Sequence, residues 1–335
     1  MIFPWQKQLW QQLGGQAFPH AFLIHGPKGI GKLHFAKVLA QALLCETSRP
    51  GLDPCESCLS CHWYRQESHP DFKLLQPEAF ETVEEPGTDT GSGRTKQGGS
   101  QIAVGQIRAL AGFLDLSAHR QGKKVVLVHP ADELNVNAAN ALLKTLEEPP
   151  RDTVLLLVAH RIHRILPTVR SRCRALPMRI PIPEESTAWM LEEGIEHPAQ
   201  ALADAGFAPL QALDNTRGDY PERRKSFLEH LAARAFDPVG FAATHEGREL
   251  SRVLGWLQKW TYDLVSMRLT GHIRYNPDFA QTLQELAKHA DAVQLERFYR
   301  ALVLGESRVR HPLNPRLVLE HLFLSYQRCM QGAHR

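Results

Sequence analysis

Four cysteines, Cys45, Cys55, Cys58 and Cys61, follow the spacing C-x₉-C-x₂-C-x₂-C. Thiolates at that density match a closed, tetrahedral site, and two-residue spacing lets successive sulfurs converge on one ion. Zinc in a structural role is the expected occupant, because four thiolates leave no position open for water. An iron–sulfur cluster is the rival, since C-x₂-C-x₂-C also occurs in ferredoxins. His62 stands beside Cys61 and could compete as a ligand, which a complete set of cysteines makes unnecessary. Cys173 and Cys329 stand alone and read as plain, partly buried thiols.

A second constellation, HGPKGIGKL at residues 25–33, nearly spells a phosphate-binding loop. Gly26, Gly29 and Gly31 let backbone N–H groups turn toward phosphate oxygens at a helix N-terminus, and Lys32 would reach the outer phosphates. The next residue should carry a hydroxyl for Mg²⁺, but Leu33 has no ligand atom. The metal also needs an acid at the end of a second strand. The strand VVLV is followed instead by His129 and Pro130, with Asp132 and Glu133 a few residues late. Asp132 reads more readily as the cap of the helix that follows. Without the ion, charge on a transferring phosphoryl group goes uncompensated and hydrolysis should be lost or very slow. Nucleotide binding stays open: the loop either holds a phosphate weakly or merely joins strand to helix.

These groups need elements to hold them. AFLIH at 21–25 reads as a buried strand leading into the loop, followed by a helix from Lys32 to Cys45. DFKLLQP at 71–77, KKVVLVHP and DTVLLLVAH at 152–160 read as further strands. Residues 102–114 and DELNVNAANALLKTLEEPP read as helices, the second ended by Pro149 and Pro150. Strands alternating with helices over 20–178 imply an α/β domain with a parallel sheet covered on both faces. MIFPWQKQLWQQL reads as an amphipathic helix with Trp5, Leu9 and Leu13 on one face, and not as a secretory signal.

Residues 84–101 are rich in Gly, Ser, Thr and charge without apolar periodicity, and read as a flexible insertion. After residue 185 the periods are helical. Leu250, Val253, Leu254, Leu257, Trp260, Leu264 and Met267 form the clearest stripe. A helix from about Asp278, two between 292 and 305, and one through LVLEHLFLSYQRCM follow. Glycines at 206 and 218 and Pro221 suggest a boundary near 218. The net charge of +3 permits contact with nucleic acid without arguing for it. No apolar run is long enough to span a bilayer, which takes about 18 residues or more, and a reducing cytoplasm is the expected compartment.

HAFLIHGPKGIGK, CESCLSCHWY, SHPDF, NALLKTLEEPP, TVRSRC and LNPRLVLEHLF occur in this order along the chain. Together they resemble the clamp-loader AAA+ subunits of bacterial DNA polymerase III. The resemblance implies an α/β AAA+ domain over 1–180 with an inserted zinc module at 45–61, a small helical lid over 181–218 and an all-α collar over 219–335. It implies an ATP-driven heteropentamer, containing gamma/tau and delta subunits, that places a ring-shaped sliding clamp on primed DNA. Within the family the degraded magnesium site fits the non-hydrolysing stator rather than the gamma/tau motor. By the same resemblance, Arg172 of the S-R-C triplet would project into a neighbour's ATP site as an arginine finger. Taken alone, Arg172 is an ordinary surface arginine. Ala159 and His160 stand where active relatives carry small hydroxyl residues that sense the γ-phosphate. Such a chain belongs to a DNA-directed DNA polymerase holoenzyme yet shows no polymerase site of its own. An active motor using Asp132 or Glu133 and a zinc-containing DNA-binding module are the competing readings.

Overall fold

The computed structural model describes all residues except 15–17, 48–51, 79–98, 100, 120–121, 234–235, 246–249, 306–313 and 332–335. The predicted insertion at 84–101 therefore lies almost wholly outside the described residues. The chain divides into two compact units, Met1–Glu185 and Ser186–Arg335.

The first unit is built on five parallel strands: β1 (Ala21–His25), β2 (Phe72–Leu75), β3 (Lys124–Val128), β4 (Thr153–Ala159) and β5 (Arg174–Pro177). Their order is β2-β3-β4-β1-β5, with Leu23 opposite Leu157 and Leu127 opposite Leu156. The unbroken apolar runs of β1, β3 and β4 are explained by burial on both faces. Leu23, Val126, Val128, Leu155 and Leu157 meet α4 (Val104–Asp115) and α5 (Val136–Glu147). On the other side α2 (Lys32–Leu44) packs across β3 and β4, burying Phe35, Ala36, Leu39 and Ala40. Three short helices complete the unit: α1 (Lys7–Gly14), α3 (Leu59–Arg65) and α6 (Pro167–Arg170). On α1 the buried residues are Trp10 and Leu13, while the preceding turn Pro4–Gln6 carries Trp5 to the phosphate loop.

The expectation that Asp132 caps the following helix is corrected by the structure. Asn135 caps α5, its Oδ1 accepting from the Ala138 N–H at 2.8 Å. Residues Ala131–Glu133 instead make a separate 3-10 turn. The break at Leu134 has a tertiary cause. Ile102 pairs with Leu134, donating its N–H to the Glu133 carbonyl at 2.9 Å and accepting from the Asn135 N–H at 3.3 Å. Pairing holds residue 134 extended, so the helix starts one turn later than its sequence pattern suggests.

The second unit is entirely helical among its described residues. Its elements are α7 (Pro183–Glu192, which begins just before the boundary), α8 (Pro198–Asp204), α9 (Pro209–Asn215), α10 (Tyr220–Ala232) and α11 (Pro238–Thr244). They are followed by α12 (Leu250–Thr270), α13 (Ala280–His289), α14 (Ala292–Gly305) and α15 (Pro315–Gln331). The stripe read on α12 is the core: Val253, Leu254, Leu257, Trp260 and Leu264 are buried against Leu283, Leu295, Leu319 and Phe323. The Trp260 indole donates to the Tyr326 hydroxyl at 2.9 Å, which in turn donates a hydrogen bond to the Leu231 carbonyl at 3.0 Å. Residues 292–305 form one continuous helix and not two.

A buried ion cluster joins α8 to the helices after it. Arg224 on α10 donates to Asp204 at 2.9 Å, to Asp278 at 2.6 Å and to the Asn276 side chain at 2.7 Å. Tyr220 and Asn215 complete the Asp204 carboxylate at 2.8 and 2.9 Å.

Candidate functional site

The phosphate loop lies between the end of β1 and the start of α2. Two of its glycines, Gly26 and Gly31, are required by space. A Cβ on Gly26, whose φ is +150°, would sit 2.0 Å from the Met178 carbonyl oxygen, and one on Gly31 would strike the Gln6 amide and the Phe3 ring. The Gln6 amide donates to the carbonyls of Ile30 and Gly31, and the Trp5 indole donates to that of Ile30. No sequence signal announces this lid of N-terminal side chains, because some 24 residues separate the partners.

Lys32 is only 3 % exposed and donates its ammonium to the Pro27 carbonyl. Burial pulls its pKa down to about 8. Two imidazoles stand at the ends of β3 and β4, His129 and His160, with ring centroids 5.3 Å apart and nearly perpendicular planes. Burial, followed by the mutual charge and that of Lys32, pushes His129 down to about 4; burial and Lys32 do the same to His160. Both are neutral at pH 7, and among the described residues neither buried Nδ1 atom has a hydrogen-bond partner. Asp132 is buried too, its Oδ1 accepting from the His160 N–H at 2.8 Å. The pocket that would need carboxylate and hydroxyl ligands for a divalent cation thus presents leucine, two imidazoles and a carboxylate already engaged by the backbone.

The four cysteines come together. Their sulfurs all lie within 4.8 Å of one another, and Cys45 Sγ is 3.9 Å from Cys58 Sγ. Tetrahedral zinc with Zn–S bonds of about 2.3 Å requires sulfurs about 3.8 Å apart, so the donor set fits. Cys45 caps the C-terminal end of α2, while Cys58 caps the short helix α3 and Cys61 lies inside it. Backbone N–H groups of Cys55, Cys58 and Cys61 donate to Cys45, Cys55 and Cys58 sulfurs at 3.3, 3.3 and 3.4 Å, as thiolate acceptors favour. Amide donors at Ser57 and Cys58 draw Cys55 down to about 5, whereas burial pushes Cys61 up to about 12 and also raises Cys45. Four thiols this close cannot all ionise unless a cation offsets their repulsion. Cys173 and Cys329 lie elsewhere, each pushed up to about 11 by burial.

Arg172 follows α6, on the loop leading into β5. Its guanidinium is partly exposed. One nitrogen donates to the Thr168 carbonyl at 2.9 Å and to the Ser171 hydroxyl at 3.3 Å, and the other meets Glu147 at 2.5 Å.

Comparison with known proteins gives the family. Residues 4–181 match the model of the DNA polymerase III delta subunit, and residues 219–328 match its C-terminal counterpart. The chain is 37% identical to DNA polymerase III subunit delta-prime of Pseudomonas aeruginosa, over 80% of this chain and 79% of the relative. It is also 37% identical to the delta-prime subunit of Yersinia pestis, over 97% of this chain and 95% of that one. Subunit tau of Bacillus subtilis is 31% identical over 50% of this chain and 26% of its own length. This chain belongs to the DNA polymerase III delta-subunit family, among proteins named subunit delta-prime.

Proposed function

We propose that this chain is the non-hydrolysing stator of a DNA polymerase III clamp loader, which scaffolds an AAA+ ring and lends Arg172 to a neighbouring subunit's ATP site. The observation that carries this reading is the state of the chain's own loop. Leu33, His129 and His160 occupy positions that metal and γ-phosphate chemistry would need, and Asp132 is committed to the His160 amide. A chain so built contributes to hydrolysis only through a group offered outward. Arg172 is such a group, because a guanidinium offsets charge developing on a γ-phosphate and is worth about 10³–10⁵ in rate in comparable NTPases.

The remaining assignments follow from it. Cys45, Cys55, Cys58 and Cys61 hold a structural zinc ion, which when bound neutralises thiolate repulsion and braces the segment between α2 and α3. Gly26, Gly29, Gly31 and Lys32 form a vestigial loop with weak or no affinity for ATP. Residues 181–218 act as a lid and 219–335 as a collar that joins gamma/tau and delta subunits. The sliding clamp and primed DNA are met through the assembled complex in the cytoplasm. Among the described residues no helix is long and apolar enough to cross a membrane.

Phosphate release from the purified chain, and from a reconstituted complex with and without Arg172→Ala, tests the reading. The isolated chain should show no turnover, and the site served by Arg172 should lose about a thousand-fold or more in the mutant complex, the lower end of what arginine fingers supply. Hydrolysis by the chain alone would instead favour a motor using Asp132 or Glu133.

A further inference from the structure

The stretch NALLKTLEEPP ends α5 at Glu147, and Pro149 and Pro150 prevent the helix from running on. Glu147 is thereby fixed at a helix C-terminus beside α6. Its Oε1 lies 2.5 Å from Arg172 Nη2, with side-chain exposures of 50% for the glutamate and 34% for the arginine. The other guanidinium nitrogen is held separately by Thr168 and Ser171. The two grips differ in kind. The Thr168 carbonyl belongs to the short helix immediately before the arginine, four residues away along the chain, whereas Glu147 comes from another element and is half exposed.

We propose that Glu147 is a positioning residue that acts as the resting counter-ion of Arg172: it holds the outer nitrogen against the end of α5 until a neighbour's γ-phosphate takes its place. This rests on the reading of Arg172 as a group lent in trans. The negative end of the α5 dipole reinforces the hold. The pair is exposed, so its strength is that of a surface ion pair, a factor of about two to five in an equilibrium. A polyphosphate, more highly charged and able to accept two parallel N–H bonds, outcompetes a single carboxylate oxygen. Throughout the exchange the Thr168 carbonyl keeps the guanidinium plane oriented. Glu147 therefore lowers unstimulated hydrolysis without blocking the stimulated reaction.

The test uses the reconstituted complex containing Glu147→Gln, Glu147→Asp or Arg172→Ala. Glu147→Gln should raise the unstimulated kcat about two- to five-fold, leave the KM for ATP unchanged, and leave turnover with clamp and primed DNA near wild type. Glu147→Asp, which keeps the charge, should lie close to wild type. An unchanged or lowered rate in Glu147→Gln, with Arg172→Ala still collapsing turnover, overturns the counter-ion role alone. Full turnover in Arg172→Ala overturns the finger itself and this role with it. The isolated chain provides a second reading that does not depend on assembly. Phenylglyoxal should modify Arg172, followed by peptide mass analysis, about two- to five-fold faster in Glu147→Gln, and equal rates count against the proposal.

Discussion

Lys32 keeps the identity of a phosphate-loop lysine while its surroundings have changed. Its neighbour Leu33 supplies no oxygen, and the ammonium is folded onto the Pro27 carbonyl within the loop. Restoring one hydroxyl should not restore an engine: Leu33→Thr is expected to leave the isolated chain without measurable phosphate release, because His129 and His160 still replace the other ligands. The two histidines have a consequence for stability. Their folded pKa values, about 4, lie below the unfolded value near 6.5. Between these limits the unfolded chain binds more protons, so stability is complete above pH 6.5 and falls as the pH drops toward 4. Allowing for partial exposure, the pair should cost about 1–2 kcal/mol by pH 4.5. Urea midpoints at pH 7.5 and 4.5 should differ less in His129→Gln/His160→Gln than in the wild type.

Elements decide how such residues are supported. The thiol cluster is assembled by the end of α2, the start of α3 and the segment between them, with no contribution from the sheet. On the proposed zinc assignment, Cys58→Ser should reduce bound zinc from about one ion per chain to well below it, as read by atomic absorption. Amide exchange should accelerate over residues 45–65 while β1, β3 and β4 stay protected. The buried cluster around Arg224 shows the same dependence on several helices. Asp204→Ala leaves the buried Arg224 guanidinium with one carboxylate fewer and strips Lys259 of its counter-ion, which should destabilise the second unit by about 3–5 kcal/mol. Thermal unfolding of the full chain checks this.

Across the whole molecule, the helical unit leaves apolar side chains uncovered. Val293 and Val303 on α14 and Leu317 and Leu324 on α15 are exposed at 59, 49, 62 and 38%. If these helices form the collar, Val303→Asp/Leu317→Asp should weaken the heteropentamer at least about ten-fold in sedimentation without lowering the melting temperature of the free chain.

Runs such as VVLV and TVLLLVA leave a chain few options, since a strand with no polar face must lie inside a covered parallel sheet. The sequence therefore determined the α/β unit, the helical character after residue 185, the α12 core stripe and the identity of the four thiol donors. It also determined the absence of a hydroxyl after Lys32. These are properties of residue type and local period. Tertiary structure alone decided that Ile102 would hold Leu134 extended and hand the α5 cap to Asn135. It alone decided that Trp5 and Gln6 would cover the loop, that Asp204 would meet Arg224, and that Glu147 would meet Arg172. Each of these contacts joins groups distant along the chain, and their pairing follows from how helices and strands pack, which no local pattern encodes.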